Sequence, residues 1–326
     1  MEEALIIKGR GFEMSFASET KNELARITPE KKCCTIAEIA GFMRFAGSIG
    51  LAGGGKFRIS MTTPNNAVVR HYKSLISNYF KVNTDIEVGL TETLDRGKQY
   101  TITIDPDNNS EMILREAGIL MVREGMNSFS DGIYDGLIRT KCCRKAYLRG
   151  AFLASGTLAN PEKSYHLEIS TQSELLARDL RRLINTFVDI TPRIVTRKKG
   201  YGVYLKAREQ IADTLAIMGA SGQYFAFQDV MMKKDLMNHA HRAENLDNAN
   251  IDKAVRAAQE QVDWIRRIDK KRGLASLSPK LQEVAQLRLD HPDAGLEELG
   301  QMLDPPLSKS GVNGRLRRLG EIAKGL

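Results

Sequence analysis

Apolar positions along this chain follow two rhythms, and one long block of them occurs twice. In the first block, Thr35–Ala46 reads as a helix, Gly50 to Gly55 as a loop, and FRISMTT (Phe57–Thr63) alternates like a strand. Asn66–Phe80 places Val68, Val69, Tyr72, Leu75, Ile76 and Tyr79 at helical spacing. Thr84–Val88 and Gln99–Ile104 predict two short strands around a turn-rich segment, and Glu111–Leu120 a closing helix. The order then returns. Lys31–Gly50 overlays Thr140–Ala159 without a gap, offset by 109 residues as Cys142 stands to Cys33. The overlay matches Lys32 with Lys141, both Cys-Cys pairs, Ala37 with Ala146, Gly41 with Gly150 and Gly47 with Gly156. YHLEIST (Tyr165–Thr171) predicts the corresponding strand and Glu174–Phe187 the corresponding helix. Pro192–Arg197 and Tyr201–Lys206 predict a hairpin, and Gln210–Met218 the closing helix. A period near 100 exceeds the roughly 20–50 residues of solenoid units, so it reads as a duplicated domain. An αββαββα-like order in each copy implies an α+β fold: two antiparallel sheets with helices on one face, related by a pseudo-two-fold axis.

Outside the duplication the pattern is helical. Residues 1–13 show no periodicity that continues, whereas SFASETKNELARI after Met14 reads as a capped helix, which makes Met14 the expected functional start. From Gln228 the chain turns polar, with Ile251, Ala254, Val255, Ala258, Val262 and Ile265 holding one helical stripe; Trp264 would anchor this linker to a neighbouring unit. Three short helices follow, at about Pro279–Asp290, Leu296–Leu303 and Lys309–Lys324, with a turn at Asp304–Leu307 and Ser308 as a cap. This is the layout of a helix-turn-helix. The expected divisions are an extension (1–13), a first repeat (14–125), a second repeat (126–225), a helical linker (226–273) and an all-α helix-turn-helix domain (274–326).

In the last helix Val312, Leu316, Leu319 and Ile322 form an inward stripe. Ser310, Asn313, Gly314 and Arg317 fall on the opposite stripe, with Ser308 and Lys309 at its start. Asn pairs bidentately with adenine and Arg with guanine, so this stripe suits base edges; Arg315 and Arg318 flank it and suit phosphates. Charge sharpens the picture. Pro305–Leu326 holds five cations and one acid, whereas Ser276–Asp304 holds two cations and six acids. The alternative is a helical bundle with a solvated basic face.

Composition adds bounds. The chain has 326 residues, 42% apolar and 27% charged, as in ordinary globular proteins, with a net charge of +8. No apolar run approaches a membrane span, so no membrane association is expected, and four cysteines in adjacent pairs suit a reducing cytoplasm. A second cationic stretch, Arg193, Arg197, Lys198, Lys199, Lys206 and Arg208, lies between Thr191 and Arg208 with no acid. It reads equally as a second DNA surface or as a solvated loop. A Cys₄ zinc site across the pseudo-two-fold is conceivable, but adjacent cysteines lack the usual C-x₂-C spacing; buried small-residue packing is the expectation, with no metal and no cofactor. The histidines are scattered and suggest no catalytic base.

The doubled helix resembles the LAGLIDADG motif of homing endonucleases, through Ile39–Gly47 in one copy and Leu148–Gly156 in the other. The glycines would let the helices cross closely. The resemblance implies a metal-binding acid near the end of each motif, and here those positions are Ala46 and Ser155. Neither supplies an anionic oxygen, so no catalytic residue is expected. A degenerate pair of this kind, joined by a helical linker to a helix-turn-helix, resembles the WhiA family of bacterial transcription regulators. SFASETKNELARI, the stretch Asn245–Val262 and SKSGVNGRLRRL carry that likeness, which departs at Gly314, where many relatives are expected to carry histidine. The family implies a cytoplasmic, nucleoid-associated DNA-binding protein linked to sporulation, cell division or chromosome segregation. The reading is therefore a non-catalytic, sequence-specific regulator whose partner is double-stranded DNA. Alternatives are a metal-dependent homing endonuclease, or a scaffold that binds another transcription regulator through the duplicated unit.

Overall fold

The computed structural model describes residues 14–90, 98–123 and 125–326; the extension at 1–13 and part of the first copy's turn-rich segment lie outside the described residues. Ser15 caps α1 (Phe16–Leu24), its hydroxyl accepting from the Ser18 N–H. The first copy then runs α2 (Lys32–Ala46), β1 (Gly47–Leu51), β2 (Phe57–Thr63), α3 (Asn66–Phe80), β3 (Asp85–Leu90), β4 (Lys98–Ile104) and α4 (Ser110–Glu116). A hairpin of β5 (Leu120–Arg123) and β6 (Met126–Phe129) separates it from the second copy. That copy repeats the order as α5 (Lys141–Ser155), β7 (Gly156–Leu158), β8 (Leu167–Thr171), α6 (Glu174–Ile184), β9 (Arg193–Arg197), β10 (Gly200–Leu205) and α7 (Arg208–Met218).

Each copy closes one four-stranded antiparallel sheet, in the orders β1-β2-β4-β3 and β7-β8-β10-β9. The matching orders express the duplication seen in the sequence. In β2 the burial alternates, with Phe57, Ile59, Met61 and Thr63 turned inward against α2 and α3. Such alternation is what one covered face and one open face require. In β8 and β10, Leu167, Ile169, Val203 and Leu205 do the same beneath α6.

The core centres on the pairing of α2 with α5. Both helices are buried on every side through residues 36–43 and 146–153, and Phe42 and Phe152 are fully buried. Burial on that scale stabilises by about 2 kcal/mol per large side chain. The close approach is made at two symmetric points. A Cβ on Gly41 would collide with the Tyr147 carbonyl, and one on Gly150 with the Glu38 carbonyl. Since Glu38 and Tyr147 are themselves related by the 109-residue offset, the crossing obeys the pseudo-two-fold.

Several expectations are corrected. Gly47 and Gly156 are not crossing glycines; each ends its helix and opens a strand, where a Cβ would meet the preceding turn at Met43 or Phe152. β1 runs on into Gly50 and Leu51, residues expected to begin a loop, because Gly-Ser-Ile-Gly has no alternating signature of its own. α2 starts at Lys32, so the cysteines lie inside its first turn. The closing helix of the first copy stops at Glu116, and Leu120 belongs to a strand.

Contacts divide the chain into two units, Met1–Lys233 and Lys234–Leu326. The division falls within α8 (Ser221–Arg272), a 52-residue helix that begins seven residues before the polar stretch suggested. Its first turns join the first unit, where Phe227 packs near Phe16 and Tyr165. In the second unit its last turns contribute Ile265 and Ile268 to a core completed by α9 (Pro279–Asp290), α10 (Leu296–Gln301) and α11 (Lys309–Lys324). Val284, Ala285, Leu299, Leu303, Val312, Leu316, Leu319 and Ala323 fill it. Trp264 does anchor the helix: its ring lies against Gly320 of α11, where a Cβ would come within 2.9 Å.

Candidate nucleic-acid interface

The face of α11 that leaves the core is the one the spacing singled out. Val312, Leu316 and Leu319 are buried, while Lys309, Ser310, Asn313, Gly314, Arg317 and Arg318 are exposed. Ser308 caps the helix, accepting from the Gly311 N–H at 3.3 Å, and its hydroxyl lies 3.0 Å from that of Ser310. Gly300 sets the turn before it: its carbonyl accepts from the Leu307 N–H, and a Cβ there would strike the Leu307 backbone. Nothing lies within 4 Å of the Cβ position of Gly314, so the exposed stripe is open at that point.

The two flanking arginines behave differently. Arg315 turns back to α9, donating to the Lys280 carbonyl at 3.3 Å and approaching Glu283 at 3.8 Å. It fastens α11 to α9 instead of standing free for phosphate. Arg318 is exposed and pairs with Glu321 at 2.8 Å, one turn along the same helix. Such surface pairs are weak and exchange readily for a phosphate. Sequence reasoning missed Arg288, which is almost fully buried; its Nη1 donates to the carbonyls of His291, Pro292 and Ala294, the last at 2.7 Å. It gathers the carbonyls of the turn that follows α9 and so shapes the entry into α10. Only its position before the Pro292 turn hinted at this.

In the second copy the cationic hairpin forms as expected, with Lys198 and Lys199 in the turn between β9 and β10. Strand register divides its residues. Arg193 and Arg197 share the uncovered face with Tyr204, Glu168 and Ser170, and Lys206 lies over the Tyr204 ring at 5.7 Å. Arg208 is not on the hairpin; it opens α7 and pairs with Glu209 at 2.8 Å. Arg197 is bidentate on Glu168, which also meets His166 at 3.0 Å. The hydrogen bonds from Arg197, then those from His166, hold the Glu168 carboxyl below its ordinary value despite burial.

Beside this face the ends of the helix pair open on a cleft of about 610 Å³, lined by Arg44, Ser48, Asp131, Ser170, Arg197 and Lys199 among others. Ala46 offers no donor atom, and the Ser155 hydroxyl donates to the Ser170 carbonyl at 2.7 Å. Asp131 is the one carboxylate among the cleft's described lining residues, so the residues present do not fit a carboxylate-held divalent ion. Glu38, the nearest acid of the motif, is fully buried and bound to Arg149, whose Nε donates at 2.9 Å, and to His71 at 3.0 Å. It is locked in the core with no access to a scissile phosphate.

Comparison with known proteins decides the family. Models described as the WhiA N-terminal LAGLIDADG-like domain, the WhiA LAGLIDADG-like domain and the WhiA C-terminal HTH domain match residues 32–120, 144–237 and 240–323. The chain belongs to the WhiA family. Over 313 residues it is 41% identical to a probable cell division protein WhiA of Thermoanaerobacter pseudethanolicus, covering 96% of this chain and 98% of that one. The same coverage holds at 38% identity for the probable cell division protein WhiA of Clostridium novyi. The full-length WhiA structure from Thermatoga maritima shares the fold, with a TM-score of 0.60 at 23% identity over 96% of this chain and 99% of that chain.

At the opposite end of the helix pair, this WhiA family member gathers its cysteines. The sulfurs of Cys33, Cys34 and Cys143 all lie within 4.8 Å of one another. The Cys142 thiol joins them through contacts with Cys34 and Cys143, and lies 3.2 Å from the Thr140 hydroxyl. That hydroxyl, followed by the Cys34 thiol, draws the Cys142 thiol down to about 7, while burial pushes Cys34 and Cys143 up. No helix among the described residues is long and apolar enough to cross a membrane.

Proposed function

We propose that this chain is a non-catalytic, sequence-specific DNA-binding regulator that acts in cell division. Its C-terminal helix-turn-helix reads double-stranded DNA through Lys309, Ser310, Asn313 and Arg317, with Ser308 capping the helix and Arg318 on the phosphate backbone. Arg315 contributes by holding α11 in place. The observation that carries this reading is the exposed polar stripe of α11 opposite a fully packed apolar stripe. A helix so divided can lie in a major groove without losing core contacts. The printed names of the relatives, probable cell division proteins, support the cellular process. A nucleoid-associated location in the cytoplasm goes with a DNA partner.

The uncovered face of the second sheet is a second contact surface in this reading, through Arg193, Arg197, Lys198, Lys199 and Lys206. The lack of carboxylates at Ala46 and Ser155 supports recognition without strand cleavage. A second reading, docking of another transcription regulator on the first copy, is favoured by β3, an edge strand with Val88 and Leu90 exposed.

Selection of bound fragments from bacterial genomic DNA, followed by gel shift, tests the proposal. Arg317→Ala is expected to cost about 1–3 kcal/mol in binding and to relax preference at one position. Preference that survives deletion of 275–326 would move base reading to the duplicated unit. Plasmid incubated with Mg²⁺ should stay intact, and cutting abolished by EDTA would restore the nuclease alternative.

A further inference from the structure

We propose that Cys33, Cys34, Cys142 and Cys143 form a tetrathiolate zinc site that ties together the starts of the two motif helices. This inference stands apart from the DNA-binding reading. It rests on where two separate stretches bring their thiols, not on spacing within either stretch.

Cys33 and Cys34 occupy the first turn of α2, and Cys142 and Cys143 the first turn of α5. Because the helices pair about the pseudo-two-fold, the two vicinal pairs face each other. Contacts follow that symmetry: Cys33 meets Cys143, Cys34 meets Cys142, and Cys34 and Cys143 meet across the axis. All four cysteines are free thiols. Among the described residues three of them, Cys33, Cys34 and Cys143, are the only group of three or more metal-ligating side chains close enough to share an ion.

The dimensions suit a tetrahedral ion. Zinc–sulfur bonds of about 2.3 Å in a tetrahedron put the sulfurs roughly 3.8 Å apart. For Cys33, Cys34 and Cys143 the limit of 4.8 Å needs a contraction of about 1 Å at the widest pair, and Cys142, which touches Cys34 and Cys143 but lies outside that limit, closes on the ion by turning its side chain. Cys34 and Cys143 are buried while Cys33 is exposed, which leaves an entry path and a closed inner side. Four thiolates around Zn²⁺ carry a net −2, and the surroundings are cationic. Lys31, Lys32 and Lys141 flank the group, and two helix N-termini point their partial positive charge at it. Soft thiolates favour zinc over the hard cations that carboxylates hold. A single disulfide would engage only two of the sulfurs, and a symmetric pair, Cys33–Cys143 and Cys34–Cys142, would need an oxidant, whereas all four are free thiols here.

The site lies at the start of the helices, whereas Ala46 and Ser155 end them, about 18 Å away along the helix axis by its rise per residue. Its role is therefore to brace the crossing, not to do chemistry on DNA. Each ligating thiol gives up its proton on binding, so uptake of metal releases acid.

The test uses the full chain, purified under reducing conditions, stripped with a chelator and titrated with Co²⁺ as a spectroscopic probe. The proposal expects one equivalent to bind, with sulfur-to-cobalt charge-transfer bands and the visible bands of a tetrahedral ion, all displaced by one equivalent of Zn²⁺. Protein isolated from zinc-replete culture should carry one zinc per chain, and its thermal midpoint should fall on chelation. Cys33→Ser changes an exposed position and should keep the fold. It should weaken zinc by more than the roughly 10–100-fold that loss of an outer-shell partner costs. Three results would each overturn the proposal: no thiolate bands with cobalt, equal zinc affinity in Cys33→Ser, or freshly alkylated protein whose mass shows a cross-helix disulfide instead of four thiols.

Discussion

The two sheets of the duplicated unit have the same strand order and opposite surfaces. On the first, the uncovered face carries Ser60, Thr62, Thr101, Thr103, Asp85 and Glu87, and its Arg58 is paired with Asp105 at 2.7 Å. On the second, the equivalent face carries Arg193, Arg197, Lys206, Tyr204 and a single carboxylate, Glu168, that Arg197 and His166 already engage. The inward faces have stayed alike, because both must cover the same paired helices. The outward faces owe nothing to the core and have diverged in charge. A duplication therefore keeps what packing demands twice and leaves each copy free to take its own partner.

The largest test of this comparison falls on the part that stayed symmetric. Gly41→Ala and Gly150→Ala each drive a methyl into a facing backbone carbonyl. Each should destabilise the first unit by about 3 kcal/mol or more, and by similar amounts, in urea denaturation. A large difference between the two would break the symmetry argued for the crossing.

A smaller effect is expected on the part that diverged. The double change Lys198→Glu and Lys199→Glu should lower DNA affinity and flatten the salt dependence by about 0.9 log unit per lost phosphate contact. Asp85→Asn and Glu87→Gln on the first sheet should leave that slope unchanged. Equal effects from the two sheets would mean that charge on the uncovered faces does not decide which copy meets DNA.

The smallest effect concerns Glu168 and uses pH. Its folded carboxyl titrates below the ordinary 4.5, so its contribution is present at neutral pH. That contribution is lost as pH falls below about 4.5 and through the folded value. Arg197 is more than half exposed, so water screens the pair and the contribution is small. Arg197→Gln should be slightly less stable at pH 7 and should lose less on acidification than the unsubstituted chain. Parallel stability curves would show that the Arg197–Glu168 pair contributes nothing to the fold.

Much of this architecture was legible because it is written in short-range pattern. Asn66–Phe80, Pro279–Asp290 and Lys309–Lys324 form helices over the residues their apolar spacing marked. The two-sided division of α11 followed from period alone. Other features were not legible. β1 and β7 are glycine-led and short, and take their strand form from pairing with β2 and β8. Arg288 and Arg315 looked like surface cations; one is buried on three carbonyls and the other is turned back to Lys280.

The sequence by itself determined the duplication, the matching positions of glycine and cysteine, the missing acids and the two-sided last helix. Each is a matter of residue identity or of periodicity within one element. Only the tertiary structure decided which glycines make the crossing, which cations stay free and that four cysteines share one small volume. Those outcomes depend on how elements about a hundred residues apart are brought face to face, and no spacing along the chain encodes that distance. From the sequence a Cys₄ site across the pseudo-two-fold was conceivable but lacked the usual ligand spacing; the fold brings the two vicinal pairs into contact.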